Sequence, residues 1–127
     1  MFHKISIIGC GLIGSSILRA VEEKKLASNI SAYDKSSRVT DYLKKNFSIE
    51  TCSNISDVVK DSDLVIIASP LSSYKEILLS IQSNLKENVI LTDTGSAKKE
   101  VNKIINNLSL KHVNWIASHP IAGTEYS

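Results

Sequence analysis

The stretch Ile5-Ser6-Ile7-Ile8-Gly9-Cys10-Gly11-Leu12-Ile13-Gly14 decides the fold. Its first four residues make a short apolar run typical of a buried strand, and Gly9 stops it. Beyond the glycines, Ile13, Ile17, Ala20 and Val21 recur at helical spacing, with Arg19, Glu22 and Glu23 off that stripe. A G-x-G-x-x-G pattern alone says little. Between a strand and a helix it gains a physical meaning.

The same alternation continues outward from this unit. Ile30-Ser31-Ala32-Tyr33 reads as a second strand, 37–46 as a helix, and 48–52 as a weak third strand. Residues 55–60 form a short helical turn with Asp57 near its start. Leu64-Val65-Ile66-Ile67-Ala68 is the clearest buried strand and ends at Ser69-Pro70. A helix over 74–85 turns Ile77, Leu78 and Ile81 inward. A strand over 88–92 follows, then a helix over 97–108 with Val101, Ile104, Ile105 and Leu108 inward, and a last strand over 114–118. Strands alternating with helices predict a parallel sheet with right-handed crossovers. Continuous apolar strands predict that both faces of it are covered. The expected fold class is therefore α/β, a doubly wound parallel sheet of the Rossmann type with helices on both faces.

Within the glycine loop, Gly9 permits a tight turn, Gly11 lets a pyrophosphate approach the backbone, and Gly14 lets helix and strand pack closely. The N–H groups at the start of the helix, at Leu12 and Ile13, supply partial positive charge for phosphates. Asp34 ends the second strand, about 20 residues after Gly14, the offset of a ribose ligand. A carboxylate there accepts from the ribose hydroxyls and repels a 2′-phosphate, which favours NAD over NADP. Lys35 and Arg38 act against that preference, because a nearby cation can hold such a phosphate. A glycine turn without nucleotide, a methyltransferase and a flavin protein are the competing readings of the loop.

Ligands of open α/β sheets sit outside the carboxyl ends of the strands. The residues following the strands are Gly9, Asp34, Ser69-Pro70, Asp93-Thr94-Gly95-Ser96 and Ser118-His119-Pro120. The first two serve the adenosine and pyrophosphate, and the others fall on the side expected for nicotinamide and substrate. His119 is the natural proton-transfer group, since its ordinary pKa lies near neutrality. Ser96 follows the neighbouring strand and can bond a ring nitrogen of His119. Asp93 reads as a cap or turn residue, Lys98 as a helix-surface charge, and His3 and His112 as surface groups. Cys10 needs only to be small.

Composition narrows the function classes. The 127 residues are 43% hydrophobic and 22% charged, with a net charge of +2. That is the balance of one globular domain, too weakly basic to suggest a nucleic-acid partner. No apolar run approaches the roughly 18 residues of a membrane span. No signal peptide precedes the first strand, so a cytoplasmic location is expected. The two cysteines, Cys10 and Cys52, lack metal-ligand spacing, and no metal is expected.

Taken together, Gly9-Cys10-Gly11-Leu12-Ile13-Gly14-Ser15-Ser16, Tyr33-Asp34, Asp93-Thr94-Gly95-Ser96-Ala97-Lys98 and His119-Pro120-Ile121-Ala122-Gly123-Thr124-Glu125 resemble the prephenate dehydrogenase family. That family includes arogenate and cyclohexadienyl dehydrogenases of tyrosine biosynthesis. The resemblance implies NAD-dependent oxidative decarboxylation of prephenate to 4-hydroxyphenylpyruvate. It implies that His119 takes the proton of the ring hydroxyl, that Ser96 orients His119 and approaches substrate, and that Glu125 lies near the substrate pocket. The family continues past the His119 motif into a helical domain that forms the homodimer and brings arginine to the substrate carboxylates. The chain ends at Ser127, so residues 1–127 are expected to be the dinucleotide-binding domain alone, with dimerisation only where the helical domain is present. Two other classes compete: another dehydrogenase of the hydroxyacid or imine-reductase kind, and a non-catalytic NAD-binding module.

Overall fold

The computed structural model describes residues 2–94, 98–108, 110 and 112–116. Among the described residues six strands carry the fold: β1 (Phe2–Ile8), β2 (Ala27–Tyr33), β3 (Glu50–Thr51), β4 (Leu64–Ile67), β5 (Val89–Asp93) and β6 (Val113–Ile116). They form one sheet in the order β3-β2-β1-β4-β5-β6, parallel at every pairing. Five α-helices connect them: α1 (Leu12–Glu23), α2 (Ser37–Asn46), α3 (Ile55–Val58), α4 (Tyr74–Ile81) and α5 (Lys98–Leu108). The order reverses at β1, with β2 on one side and β4 on the other. Connections leaving the sheet in opposite directions there open a crevice at the strands' carboxyl ends.

Both faces of the sheet are buried, in two separate cores. On one face, Ile5, Ile7, Ile30, Ala32 and Ile66 pack with Leu18, Val21 and Leu43 of α1 and α2. On the other, Ile8, Val65, Ile67, Val89 and Leu91 pack with Val58 of α3, Ile77, Leu78 and Ile81 of α4, and Val101 and Ile105 of α5. The alternation of Ile7 and Ile8 between the two cores is the period-2 geometry of a strand covered twice. Ser6 is the polar member of this pattern. Its hydroxyl is buried and donates to the Val58 carbonyl at 2.6 Å, so no polar atom is stranded.

Local chemistry sets the helix ends. Ser36 caps α2 by accepting the Val39 N–H at 3.5 Å, and Lys44 and Lys45 occupy its last turn, where cations oppose the helix dipole. Asn54 caps α3 by accepting the Ser56 N–H at 3.0 Å. No side chain caps α1, whose first turn opens at Gly11.

Several expectations are corrected. The inward stripe of α1 is Gly14, Leu18 and Val21, whereas Ile13 is 49% exposed and Ala20 is exposed. The contact line passes through Gly14 because the helix touches the backbone of the loop there, which rotates Ile13 away from the core. The third strand shortens to Glu50–Thr51, paired only with Ser31 and Ala32 at the sheet edge. Helix α4 ends at Ile81 and tightens into a 3-10 turn, Gln82–Asn84. Asp93 is neither cap nor turn but a buried residue of β5. His112 is half-buried, its Nε2 lying 3.2 Å from the Leu85 carbonyl oxygen. The last strand is seen over Val113–Ile116, and residues 117–118 lie outside the described part.

Candidate functional site: a cleft at the carboxyl ends of the strands

Gly9 leaves β1 with φ +88°, in the left-handed region that favours glycine. A Cβ on it would overlap the Ser69 hydroxyl and come within 2.8 Å of the Ser69 nitrogen. Gly14 is constrained differently: a Cβ there would overlap the carbonyl oxygen of Gly9. The first turn of α1 thus lies directly on the loop that precedes it. Gly11 meets nothing within 4 Å and faces open space. Two of the three glycines are demanded by packing, and the third keeps the approach to the helix N-terminus clear.

That approach leads into a cleft of about 800 Å³, within the range of small-molecule and cofactor sites. It is lined by Gly9, Gly11, Leu12 and Ile13 and, from the end of β2, by Tyr33, Asp34 and Lys35. Ser69, Pro70 and Thr94, which follow β4 and β5, line it as well. Much of the lining is apolar, from Leu12, Ile13, Ile55, Leu71 and Ile77. Leu12 is 88% exposed. The first N–H groups of α1 have no intrahelical acceptors by geometry, and no side chain supplies one.

Asp34 is oriented by two backbone donors. Its Oδ2 accepts the Cys10 N–H and its Oδ1 the Ser36 N–H, both at 2.9 Å. The sequence did not reveal that this carboxylate also braces the glycine loop. Cys10 is 3% exposed. Burial, helped by the charge of Asp34, pushes its thiol up to about 12. Such a thiol stays protonated at neutral pH and is unsuited to redox or nucleophilic chemistry.

Beyond β4 and β5, Ser69 donates from its hydroxyl to the Ile8 carbonyl at 3.4 Å, and Thr94 donates its N–H to the Ile67 carbonyl at 3.1 Å. Sequence reasoning missed Tyr74, whose buried hydroxyl donates to Asp93 Oδ2 at 3.0 Å. An aromatic residue opening an amphipathic helix reads only as core, so no signal was available. Ser96, His119 and Glu125 lie outside the described residues. A second cleft, of about 720 Å³, is lined by Lys4, Glu22, Lys25 and Glu50 and contains none of the candidate catalytic, cofactor-binding or substrate-binding residues. Among the described residues no cluster of three or more His, Cys, Asp or Glu is arranged to hold a metal, and no helix is long and apolar enough to cross a membrane.

The sheet order, the glycine loop and the acidic end of β2 define a Rossmann-type dinucleotide-binding domain. The family described as "Prephenate dehydrogenase, nucleotide-binding domain" matches residues 17–127, and the chain belongs to that family. It is 37% identical over 98% of its length to a cyclohexadienyl dehydrogenase of Zymomonas mobilis, covering 43% of that protein. It is 34% identical over 98% of its length to a prephenate dehydrogenase of Lactococcus lactis, covering 35% of that one. The chain thus spans less than half the length of these relatives. Among solved structures it resembles a prephenate dehydrogenase from A. aeolicus in complex with hydroxyphenyl propionate and NAD+. The TM-score is 0.80 at 28% identity, over 98% of this chain and 44% of that one. The expected fold, family and NAD cofactor are borne out by these matches.

Proposed function

We propose that this chain is the NAD-binding half of a cytoplasmic prephenate-type dehydrogenase. The observation that carries the reading is the cleft itself. Gly11 leaves the helix N-terminus open and Asp34 is held at the ribose end, so the residues present fit a dinucleotide.

The N–H groups of Leu12 and Ile13, with the dipole of α1, would hold the phosphates. Asp34 retains lone pairs beyond its two backbone bonds and would accept from the adenosine ribose hydroxyls. Gly9 and Gly14 keep loop and helix in place, and Ser69 and Pro70, which line the cleft, would bound the nicotinamide side. Bound NAD+ supplies the hydride acceptor for oxidative decarboxylation of prephenate or arogenate. His119 takes the proton of the substrate hydroxyl. Ser96 orients the imidazole and, with Glu125, contacts the substrate. The two substrate carboxylates need cationic partners, which we assign to a helical domain outside residues 1–127 that also forms the homodimer.

The test is NADH formation with prephenate, arogenate and a panel of hydroxyacids, using the chain alone and with a separately supplied helical domain. NAD+ binding by the chain alone, with turnover of prephenate or arogenate only when the helical domain is added, supports the reading. Turnover confined to a hydroxyacid would replace it with the broader hydroxyacid class. NAD+ binding without turnover in any mixture would leave a non-catalytic module.

A further inference from the structure

A buried pair of side chains joins two parts of the rim that are far apart in sequence. Tyr74 opens α4, just after the segment that carries Ser69 and Pro70, and its hydroxyl donates to Asp93 Oδ2 at 3.0 Å. Tyr74 is 1% exposed and Asp93 0%. Asp93 ends β5 in register with Ile67, the end of β4, and the following Thr94 N–H bonds the Ile67 carbonyl. The bond thus spans from the segment after β4 to the segment after β5. Both line the cleft, through Ser69, Pro70, Leu71 and Thr94.

Burying two polar side chains costs free energy unless they are hydrogen-bonded. What an acid–phenol pair adds is direction, because one hydrogen bond admits a narrow range of distances and angles.

We infer that Tyr74 and Asp93 are positioning residues that set the spacing between the walls formed by residues 69–71 and by Thr94, and so the seat of the nicotinamide half of the cofactor. The inference rests on the reading of the cleft given above. Neither side chain is open to the cleft, so both act through the backbone they hold.

Calorimetric titration of the chain with NADH and with ADP-ribose, which lacks the nicotinamide, separates the two ends of the cleft. Tyr74→Phe keeps the ring and removes the hydroxyl. Asp93→Asn keeps the shape and an acceptor oxygen. Tyr74→Phe is expected to lower the affinity for NADH relative to ADP-ribose by about fivefold, the scale of one net hydrogen bond. Asp93→Asn should lose less, since its amide oxygen still accepts from Tyr74. A lower melting temperature with an unchanged NADH to ADP-ribose ratio in both variants would make the pair purely structural and overturn the inference. A wild-type chain that binds neither compound would overturn the cleft reading and the inference with it. Wild-type binding of both, with the ratio preserved in the variants, overturns the inference alone.

Discussion

The Cys10 backbone N–H donates to Asp34 Oδ2 at 2.9 Å, joining the glycine loop to the end of β2. The acid is therefore oriented before any ligand arrives, with its other oxygen held by the Ser36 N–H. Orientation in the free protein lowers the entropy lost on binding.

NAD+ should bind more tightly than NADP+, because a 2′-phosphate would meet this fixed carboxylate. Asp34→Ser should weaken NAD+ by about tenfold, the scale of a charge-assisted hydrogen bond, and narrow the preference. Titration of both proteins with both cofactors checks this. Equal or tighter NADP+ binding by the wild type would mean that Lys35 or Arg38 dominates.

The three glycines should separate by phenotype. Gly14→Ala and Gly9→Ala force overlap with backbone or a packed hydroxyl and should cost about 1–3 kcal/mol of stability. Gly11→Ala has room, so its melting temperature should stay near wild type while nucleotide affinity falls. Thermal melts paired with NAD+ titration read both quantities. A Gly11→Ala chain that binds NAD+ as well as wild type would remove Gly11 from the phosphate site.

Catalysis should depend on His119 once the helical domain is supplied. His119→Asn should lower kcat by about a hundredfold or more, the usual scale for a lost general base, with little change in NAD+ affinity. Ser96→Ala should cost less, because it orients the base without taking the proton. Steady-state assays on the reassembled enzyme decide this, and near-normal turnover by His119→Asn would exclude that residue from the mechanism.

Cys10 predicts an alkaline sensitivity. Its thiol is pushed from 9.0 up to about 12 by burial and by Asp34. A group whose folded value is raised contributes stability that is fully present below its unfolded value. That contribution is lost as pH rises, over the window from about 9 to 12. Cys10→Ala should therefore flatten the loss of stability across that window, measured by denaturant unfolding at stepped pH. Alkylation at neutral pH should also spare Cys10 in the native chain and reach it only on unfolding. An unchanged alkaline slope in Cys10→Ala would mean that the thiol ionises alike in both states.

The sequence by itself determined the strand–helix alternation, the doubly wound class and the tight packing at Gly9 and Gly14. Each of these is written in local spacing: apolar runs at Ile5-Ser6-Ile7-Ile8 and Leu64-Val65-Ile66-Ile67, and glycines where strand turns into helix. Asp34 was legible for the same reason, because one strand–helix–strand unit fixes its distance from the loop. Ser96, His119 and Glu125 were legible as candidates, from strand-end position and family resemblance, and lie outside the described residues.

Only the tertiary structure decided what crosses between units. Helical spacing marked Ile13 as core, but contact between Gly14 and Gly9 turned α1 so that Ile13 lines the cleft. Asp93 reads as a turn residue until parallel pairing of β4 with β5 places it beside Ile67, within reach of Tyr74. The Cys10 thiol reads as ordinary until burial and Asp34 raise it. Periodicity reports which side of an element is apolar. It does not report which residues of distant elements meet, because that depends on sheet order and on close backbone contacts that no local window contains.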